Sequence, residues 1–155
     1  PWMTITNPNN GDAIVINDLI TDNMLQKAIL SPESFDVIAT TNLNGDYIAD
    51  VMAAQVGGVG LVPGANLNNE VAFFEPTHGT VPGLAGQNKA NPTSMLLCGE
   101  MLLRHIGWTE AAERLFTALS LCINDEIVTY DLARSIEGAK EVSCSSFGDA
   151  VIERL

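Results

Sequence analysis

Two aspartates one helical turn apart are the first residues whose types and spacing could do chemistry. Asp46 and Asp50 follow the turn-like run Asn42-Leu43-Asn44-Gly45, in a segment whose pattern predicts a helix over residues 47–55. Residues i and i+4 of a helix share one face, so the carboxylates repel each other unless a cation lies between them. Mg²⁺ or Mn²⁺ would resolve that conflict, because both accept oxygen ligands. The alternative is a helix-capping acid beside a surface acid. Asp22, on a separate predicted helix, could be a third ligand, although nothing around it indicates this.

A polar run with several glycines is the second candidate. Glu75-Pro76-Thr77-His78-Gly79-Thr80 follows a predicted strand and enters a loop over residues 77–91. The loop ends at Asn91, a typical N-cap residue, and a helix N-terminus favours phosphate or polar groups of a base. Glycines let the backbone approach a ligand closely. The pattern indicates a nucleotide-binding loop, and the alternative is that His78 is only a hydrogen-bonded structural residue. The loop glycines are Gly79, Gly83 and Gly86.

Tyr130 and Arg134 form a third candidate, again at i and i+4. A guanidinium and a phenol on one helical face suit a phosphate group. The alternative is that Arg134 pairs with Asp131 or another acid, and the abundance of acids favours that alternative on pattern alone.

Common nucleotide and hydrolase motifs are absent from the sequence. Gly58-Val59-Gly60-Leu61-Val62-Pro63 has proline where a dinucleotide-binding motif needs its third glycine, so a Rossmann site is not indicated. The chain also has no phosphate-binding P-loop, no nucleophile elbow and no metalloprotease motif.

The composition predicts a folded protein of about one domain. The 155 residues are 46% hydrophobic and 17% charged, with a formal net charge of −12. That charge argues against nucleic-acid partners and against anionic membrane surfaces. Three widely spaced cysteines without a C-x-x-C motif suggest a reducing compartment. No stretch is apolar enough for a membrane helix, and no signal-peptide pattern is present, so we expect a cytoplasmic protein.

Short strands alternating with helices predict an α/β class. Residues 1–12 are predicted to be a loop or the turn of a hairpin, and Asn44-Gly45 and residues 63–66 to be turns. Thr109 and Ser146 are predicted to cap helices. The predicted strands are residues 35–40, 59–62 and 71–74, and the predicted helices are residues 18–30, 47–55, 92–106, 110–123 and a last one from about Ser146.

These candidates, in this order, resemble one family, the isocitrate and isopropylmalate dehydrogenases. The run from Asn42 to Ile48 is similar to the family's metal-binding segment, and Glu75 to Thr80 with Asn91-Pro92 to its cofactor loop. The run from Arg104 to Ala112 resembles the bacterial NADP-dependent isocitrate branch. The match extends over residues 14–155. Further matching runs are residues 53–60, 63–66, 128–131 and 147–150.

The resemblance implies a fold and a division of the chain. The expected fold is the C-terminal part of the family's layered α/β fold, which is not a Rossmann nucleotide fold. Residues 1–56 would belong to the small, dimer-forming domain and residues 57–155 to the large domain. Each domain would then lack part of its sheet, and unpaired strand edges favour aggregation. We therefore expect the isolated chain to fold poorly.

The resemblance also implies a reaction, the oxidative decarboxylation of isocitrate to 2-oxoglutarate with reduction of NADP. Asp46 and Asp50 would bind Mg²⁺ or Mn²⁺, and Asp22 would serve the metal site of the neighbouring subunit of a homodimer with shared active sites. The metal would polarise the carbonyl formed on oxidation and stabilise the enolate left as CO₂ departs. The implied cofactor residues are Glu75, Thr77, His78, Gly79, Thr80, Asn91, Tyr130 and Arg134.

Three positions depart from the NADP-dependent pattern. Gly83 and Leu84 stand where that branch has a lysine and a tyrosine, and Ser31 where it often has an arginine that contacts phosphate. The NAD-dependent relatives have an acid at Gly83, which this chain lacks. Each lost charge-assisted bond should weaken NADP discrimination by ~1–3 kcal/mol. Because Tyr130 and Arg134 remain, NADP is the expected cofactor and NAD the alternative.

The family's substrate-binding serine and arginines, and its catalytic tyrosine and lysine, lie upstream of the segment that this chain resembles. No catalytic residue is therefore assigned here, and we expect a C-terminal fragment without turnover of its own. An NAD-dependent isopropylmalate-type dehydrogenase and a non-catalytic nucleotide- or metal-binding module remain as alternative functions.

Overall fold

The computed structural model describes residues 2–155, so the first residue of the predicted 1–12 loop lies outside it. The chain divides into two compact units, one ending at Met52 and the other comprising Ala53–Leu155. The strands are β1 (Trp2–Thr6), β2 (Ala13–Asn17), β3 (Pro63–Leu67), β4 (Ala72–Pro76), β5 (Ile127–Val128) and β6 (Lys140–Glu141). The helices are α1 (Thr21–Leu30), α2 (Asn42–Val56), α3 (Thr93–His105), α4 (Thr109–Asn124), α5 (Tyr130–Ala133) and α6 (Cys144–Ile152).

The first unit opens with an antiparallel hairpin in which β1 pairs with β2. Its turn is held by bonds between Asn7 and Asp12, where the Asn7 amide donates to the Asp12 carbonyl at 2.8 Å. Gly11 has a φ of 82°, a left-handed conformation that glycine adopts without a steric cost. The hairpin turn predicted within residues 1–12 is confirmed, and the flanking residues form strands.

Helices α1 and α2 of this unit share a small apolar core. Met24, Ala28 and Ile48 are buried there, and the helical spacing from residue 18 predicted α1. The prediction of a turn at Asn44-Gly45 is wrong, because α2 begins at Asn42. The Gly45 amide donates to the Thr41 carbonyl at 2.9 Å, so helical hydrogen bonding outweighs the roughly 1 kcal/mol that glycine costs in a helix.

The predicted strand at residues 35–40 is also wrong. The segment has no regular secondary structure, and Val37 is 87% exposed. A strand needs a neighbour for its backbone groups, and β1 and β2, the two strands of this unit, pair with each other. The segment has many β-branched residues, but no strand pairs with it within the part of the chain that the structure describes.

In the second unit, β3 and β4 form an antiparallel pair from Pro63 opposite Pro76 to Leu67 opposite Ala72. Two predictions are wrong here, because residues 59–61 form a 3₁₀ turn and residues 63–66, predicted as a turn, lie in β3. Gly58, with a φ of 109°, reverses the chain just before the turn. The strand predicted at residues 71–74 is confirmed as β4, displaced by one to two residues.

Helices α3, α4 and α6 surround the main core of the second unit, in which Phe147 is the largest fully buried side chain. Thr109 is the first residue of α4 and makes no capping hydrogen bond, so its predicted capping role is wrong. Ser143, rather than Ser146, caps α6, because its hydroxyl accepts the Ser146 amide at 3.2 Å. None of the helices within residues 2–155 has the length and apolarity that a membrane span requires.

The three sheets found within residues 2–155 each contain two strands, and several large apolar side chains are exposed, including Ile20 at 77%. Two-stranded pairs are marginally stable in water. We therefore expect the purified 155-residue chain to unfold over a broad temperature range when followed by circular dichroism. A sharp cooperative transition would contradict this expectation.

The three cysteines differ in accessibility, which makes them probes of the fold. Cys98 and Cys122 are buried, whereas Cys144 is partly exposed. Burial raises the pKa of the Cys122 thiol, so less of the reactive thiolate forms at a given pH. When the second unit is folded, brief alkylation followed by peptide mass mapping should modify Cys144 first, and Cys98 and Cys122 only after denaturation. Equal labelling of all three in the native protein would contradict the packing of the second unit.

Candidate metal and cofactor sites

The two aspartates of the predicted metal site lie on the solvent side of α2. Ile48 is buried and Met52 packs against the same core, so they mark the face of the helix that turns inward. Asp46 and Asp50 are both exposed, as expected for positions nearly opposite that face. Neither is in any of the ion pairs recorded within residues 2–155. Two carboxylates without a competing cation are a donor set that suits Mg²⁺ or Mn²⁺.

Asp22 lies in the first turn of α1 and is also exposed. One of its carboxylate oxygens accepts the Asn23 amide at 2.5 Å. Across the described residues, no three His, Cys, Asp or Glu side chains form a group that could hold a metal. The structure therefore places Asp46 and Asp50 on one helical face, and does not bring Asp22 to them.

The residues of the predicted cofactor loop begin at the end of β4. The Thr77 amide donates to the Val62 carbonyl at 3.2 Å, which fixes the start of the loop beside the 3₁₀ turn. The Glu75 carboxylate accepts from the Asn66 side chain at 3.1 Å. His78 is half-buried, with Nδ1 2.9 Å from the Gly79 carbonyl oxygen, while Gly79 and Thr80 are exposed. The run thus presents an open polar edge.

The far end of the loop is attached to α6 through Asn88. The Asn88 side-chain amide donates to the Ser145 hydroxyl at 2.8 Å, and its side-chain oxygen accepts the Ser145 amide at 3.0 Å. Its carbonyl accepts the Cys144 amide at 2.8 Å. These three hydrogen bonds of Asn88 hold the end of the loop in place just before α3.

Asn91 connects the loop to two other elements. It is buried, and its side-chain oxygen accepts the Thr93 amide at 2.9 Å at the start of α3. This bond satisfies one of the free amides at the start of α3, although Pro92, and not Asn91 as predicted, is the N-cap residue. The other end of the side chain donates to Asp131 at 2.9 Å. The structure therefore brings the loop end and α5 together.

Tyr130 and Arg134 contact each other on α5 and just beyond it. The Arg134 guanidinium carbon lies 5.2 Å from the centre of the Tyr130 ring, a cation–π distance. Arg134 is exposed and takes part in none of the ion pairs recorded for residues 2–155. The alternative in which Arg134 pairs with Asp131 is wrong, because Thr129 and Asn91 occupy the Asp131 carboxylate. Arg134 is thus left available to an anion.

Comparison with known protein families identifies the family of this chain. The isocitrate/isopropylmalate dehydrogenase family model matches residues 5–151.

The chain belongs to this family.

Its curated relatives include the isocitrate dehydrogenases (NADP) of Helicobacter pylori and Pseudomonas aeruginosa, each 53% identical over 155 residues. The whole of this chain aligns, but it covers only 36% and 37% of those two proteins. The chain therefore spans a little over a third of the length of these relatives.

A solved structure of isocitrate dehydrogenase from Methylococcus capsulatus superposes with a TM-score of 0.81 and 38% identity, covering 88% of this chain and 40% of that one. The prediction that the chain adopts part of the isocitrate/isopropylmalate dehydrogenase fold is confirmed.

Most of the candidate cofactor residues are exposed or half-buried, and Asn91 is buried. Two cavities, of about 390 and 420 Å³, lie elsewhere in the second unit. The first is lined by the start of α4 around Trp108, and the second by α3 and α4 around Glu100. Neither cavity is lined by a predicted metal or cofactor residue, so neither identifies the position of the candidate cofactor site.

Sequence reasoning missed the residues that join the segments. Asp131 stood out as a possible partner for Arg134 and, with Thr129, as part of a run that resembles the family, and Asn88 was not singled out. Asp131 lies 40 residues from Asn91 in sequence, and no local pattern indicates such a pairing. An alignment that compared both positions could have revealed it.

Proposed function

We propose that this chain forms the metal-binding and cofactor-binding part of an enzyme that oxidises and decarboxylates isocitrate to 2-oxoglutarate while reducing NADP. The observation that carries the proposal is that the end of the cofactor loop at Asn91 is bonded to α5. Arg134 follows this helix and takes part in none of the ion pairs recorded for residues 2–155. The names of the relatives that are 53% identical over the whole chain support isocitrate and NADP.

In this proposal the first unit supplies the metal ligands. Asp46 and Asp50 hold Mg²⁺ or Mn²⁺, and Asp22 serves the corresponding site of a second copy, so the enzyme is a homodimer with shared sites. Residues 1–56 then belong to the dimer-forming domain and residues 57–155 to the large domain. When bound, the metal polarises the oxygen of the substrate carbon that is oxidised. Two carboxylates and no recorded cation partner on that face of α2 support this role.

The second unit orients the cofactor. Glu75, Thr77, His78, Gly79 and Thr80 line one side of it, and Asn91 offers polar contacts at the N-terminus of α3. Tyr130 and Arg134 bind the 2′-phosphate that distinguishes NADP from NAD, because an exposed guanidinium with no ion pair recorded within residues 2–155 is a strong hydrogen-bond donor to phosphate. Gly83, Leu84 and Ser31 add no charge to that site, so the preference for NADP over NAD depends mainly on Arg134.

A complete enzyme is obtained by placing this chain in the framework of a relative. We define the chimera as the Pseudomonas isocitrate dehydrogenase in which this chain replaces the aligned segment, which is 37% of that protein. The host supplies everything outside the segment, and this chain supplies every residue assigned above. We expect the chimera to form NADPH only when isocitrate and Mn²⁺ are both present.

The purified 155-residue chain is the matched control, and we expect it to show no isocitrate-dependent NADP reduction. A folded, dimeric chimera without turnover would contradict the proposed function and favour a non-catalytic binding module. Turnover by the 155-residue chain alone would contradict the assignment of proton transfer and substrate binding to residues outside it.

A further inference from the structure

The carboxylate of Asp131 lies where three segments of the second unit meet. One oxygen accepts the side-chain amide of Asn91 at 2.9 Å, and the other accepts the Thr129 hydroxyl at 2.5 Å. Thr129 is fully buried and Asn91 is 9% exposed, so these bonds are largely shielded from water. Gly60 closes the third side, because a Cβ there would lie 3.2 Å from the Asp131 carboxylate.

Asn91 has no rotational freedom left in this arrangement. Its oxygen accepts the Thr93 amide at 2.9 Å while its NH₂ group donates to Asp131. Reversing the amide would set a donor against a donor at one end and an acceptor against an acceptor at the other. Buried polar groups with all partners in place hold a single geometry. The orientation of Asn91 is therefore set by Asp131.

We propose that Asp131 is a positioning residue for the cofactor, and this rests on the proposed function. It holds Asn91, which lies at the α3 end of the proposed cofactor site, at a fixed distance from Tyr130 and Arg134, to which the 2′-phosphate is assigned. Asp131 follows Tyr130 directly in the sequence, so the bond to Asn91 ties the phosphate-binding residues to the helix N-terminus. The two parts of the cofactor site then act as one rigid unit.

Charge alone leads to the opposite expectation. A carboxylate close to a phosphate repels it, and neutralising the carboxylate should strengthen phosphate binding. Positioning predicts weaker NADP binding after the same change, because Asn91 and Arg134 lose their fixed separation. The sign of the effect therefore separates the two roles of this side chain.

The test is Asp131→Asn in the chimera. In Asp131→Asn one of the two carboxylate oxygens is replaced by an NH₂ group, so the Thr129 hydroxyl and the Asn91 amide can no longer each donate to an oxygen of their own. We expect the KM for NADP to rise about tenfold, in line with the loss of a hydrogen bond to a charged group. The kcat and the KM for isocitrate should stay within about twofold, because the metal and substrate contacts are unchanged. The KM for NAD should rise less than that for NADP, since NAD has no 2′-phosphate to misalign.

Asp125→Asn is the matched control. Asp125 accepts from Arg154 at 2.7 Å in the same unit, and it has no recorded bond to Asn91, Thr129 or α5. The same change of side chain should there leave the KM for NADP unaltered. A purely structural effect of losing an aspartate would appear in both variants and in kcat as well.

Thr129 supplies a second test that does not alter any proposed cofactor contact. Thr129→Ser keeps the hydroxyl that donates to Asp131, and Thr129→Val removes it at nearly constant volume. We expect Thr129→Val to raise the KM for NADP severalfold, and Thr129→Ser to resemble the parent. If Asp131→Asn does not fold, the comparison of Thr129→Val with Thr129→Ser tests the positioning role of Asp131.

An unchanged or lowered KM for NADP in Asp131→Asn, or in Thr129→Val if only that variant folds, would overturn the positioning role. Equal losses with NADP and NAD, accompanied by a fall in kcat, would overturn it too. If the parent chimera reduces NADP but the variants give either of these results, only the positioning role of Asp131 is overturned. If the parent chimera has no turnover, the proposed function fails and the inference fails with it.

Discussion

Asparagine in place of Asp46 or Asp50 should lower the kcat of the chimera by at least about 100-fold, since even the loss of residues that merely support metal ligands costs about 10- to 100-fold. Asparagine keeps the shape of the side chain but removes the negative charge that a divalent cation requires for tight binding. Both side chains are exposed on α2, so the change does not open the core. The effect should therefore fall on metal binding and not on folding.

The measurement is the initial rate of NADPH formation as a function of Mn²⁺ concentration. Each variant should need more Mn²⁺ for half its maximal rate, and high Mn²⁺ should restore part of the activity. Without metal, each variant should be as stable as the parent or slightly more so, because removing an i,i+4 pair of like charges relieves about 0.2–0.5 kcal/mol.

Asp36→Asn is the control for this pair. Asp36 is an exposed aspartate of the same unit, and no ion pair or side-chain hydrogen bond is recorded for it within residues 2–155. It should show the Mn²⁺ dependence of the parent. Rates and Mn²⁺ requirements within twofold of the parent for both Asp46→Asn and Asp50→Asn would contradict the assigned metal site.

Arg134→Ala should raise the KM for NADP by roughly 10- to 100-fold, which is the expected loss of a charge-assisted contact to phosphate. The KM for NAD should change by less than about threefold, because NAD lacks the phosphate that Arg134 contacts. Since Arg134 is exposed and its guanidinium lies over the face of Tyr130, the protein should fold normally. The variant is therefore expected to lose most of its preference for NADP.

Arg114→Ala provides the matched control for the loss of a cation. The Arg114 guanidinium donates to the carbonyl of Leu155 at the end of the chain, and Arg114 is not among the predicted cofactor residues. Its replacement should leave the KM for both cofactors near the parent values. An Arg134→Ala variant that binds NADP as well as the parent would show that another group recognises the phosphate.

The residues assigned to the metal and the cofactor were all named from the sequence, most of them through the family resemblance, whereas the contacts that join them could not be predicted. Asp46 and Asp50 emerge from helical spacing, because an i,i+4 pair places two side chains on one face. The bond between Asn91 and Asp131 spans 40 residues and depends on how α3 and α5 meet. The residue pattern within a short stretch of sequence contains no information about how two distant helices pack.

The same contrast between local and long-range contacts explains which helices and strands were predicted wrongly. Helices satisfy their own backbone groups, and all of the long predicted helices are present, although α2 starts five residues early. Strands need neighbours, and residues 35–40 have the composition of a strand but no partner within residues 2–155. At residues 59–67 the glycine and proline positions suggested a strand and then a turn, and the chain adopts the reverse order.

The cofactor preference of the parent chimera tests the central claim most directly, because every assigned residue that contacts the 2′-phosphate comes from this chain. The measurement is kcat/KM for NADP and for NAD at saturating isocitrate and Mn²⁺. We predict a preference for NADP of at least about tenfold, the size of one charge-assisted phosphate contact, with Arg134 as its main source. Equal use of both cofactors, or a preference for NAD, in a fully active chimera would contradict the claim that this chain recognises NADP.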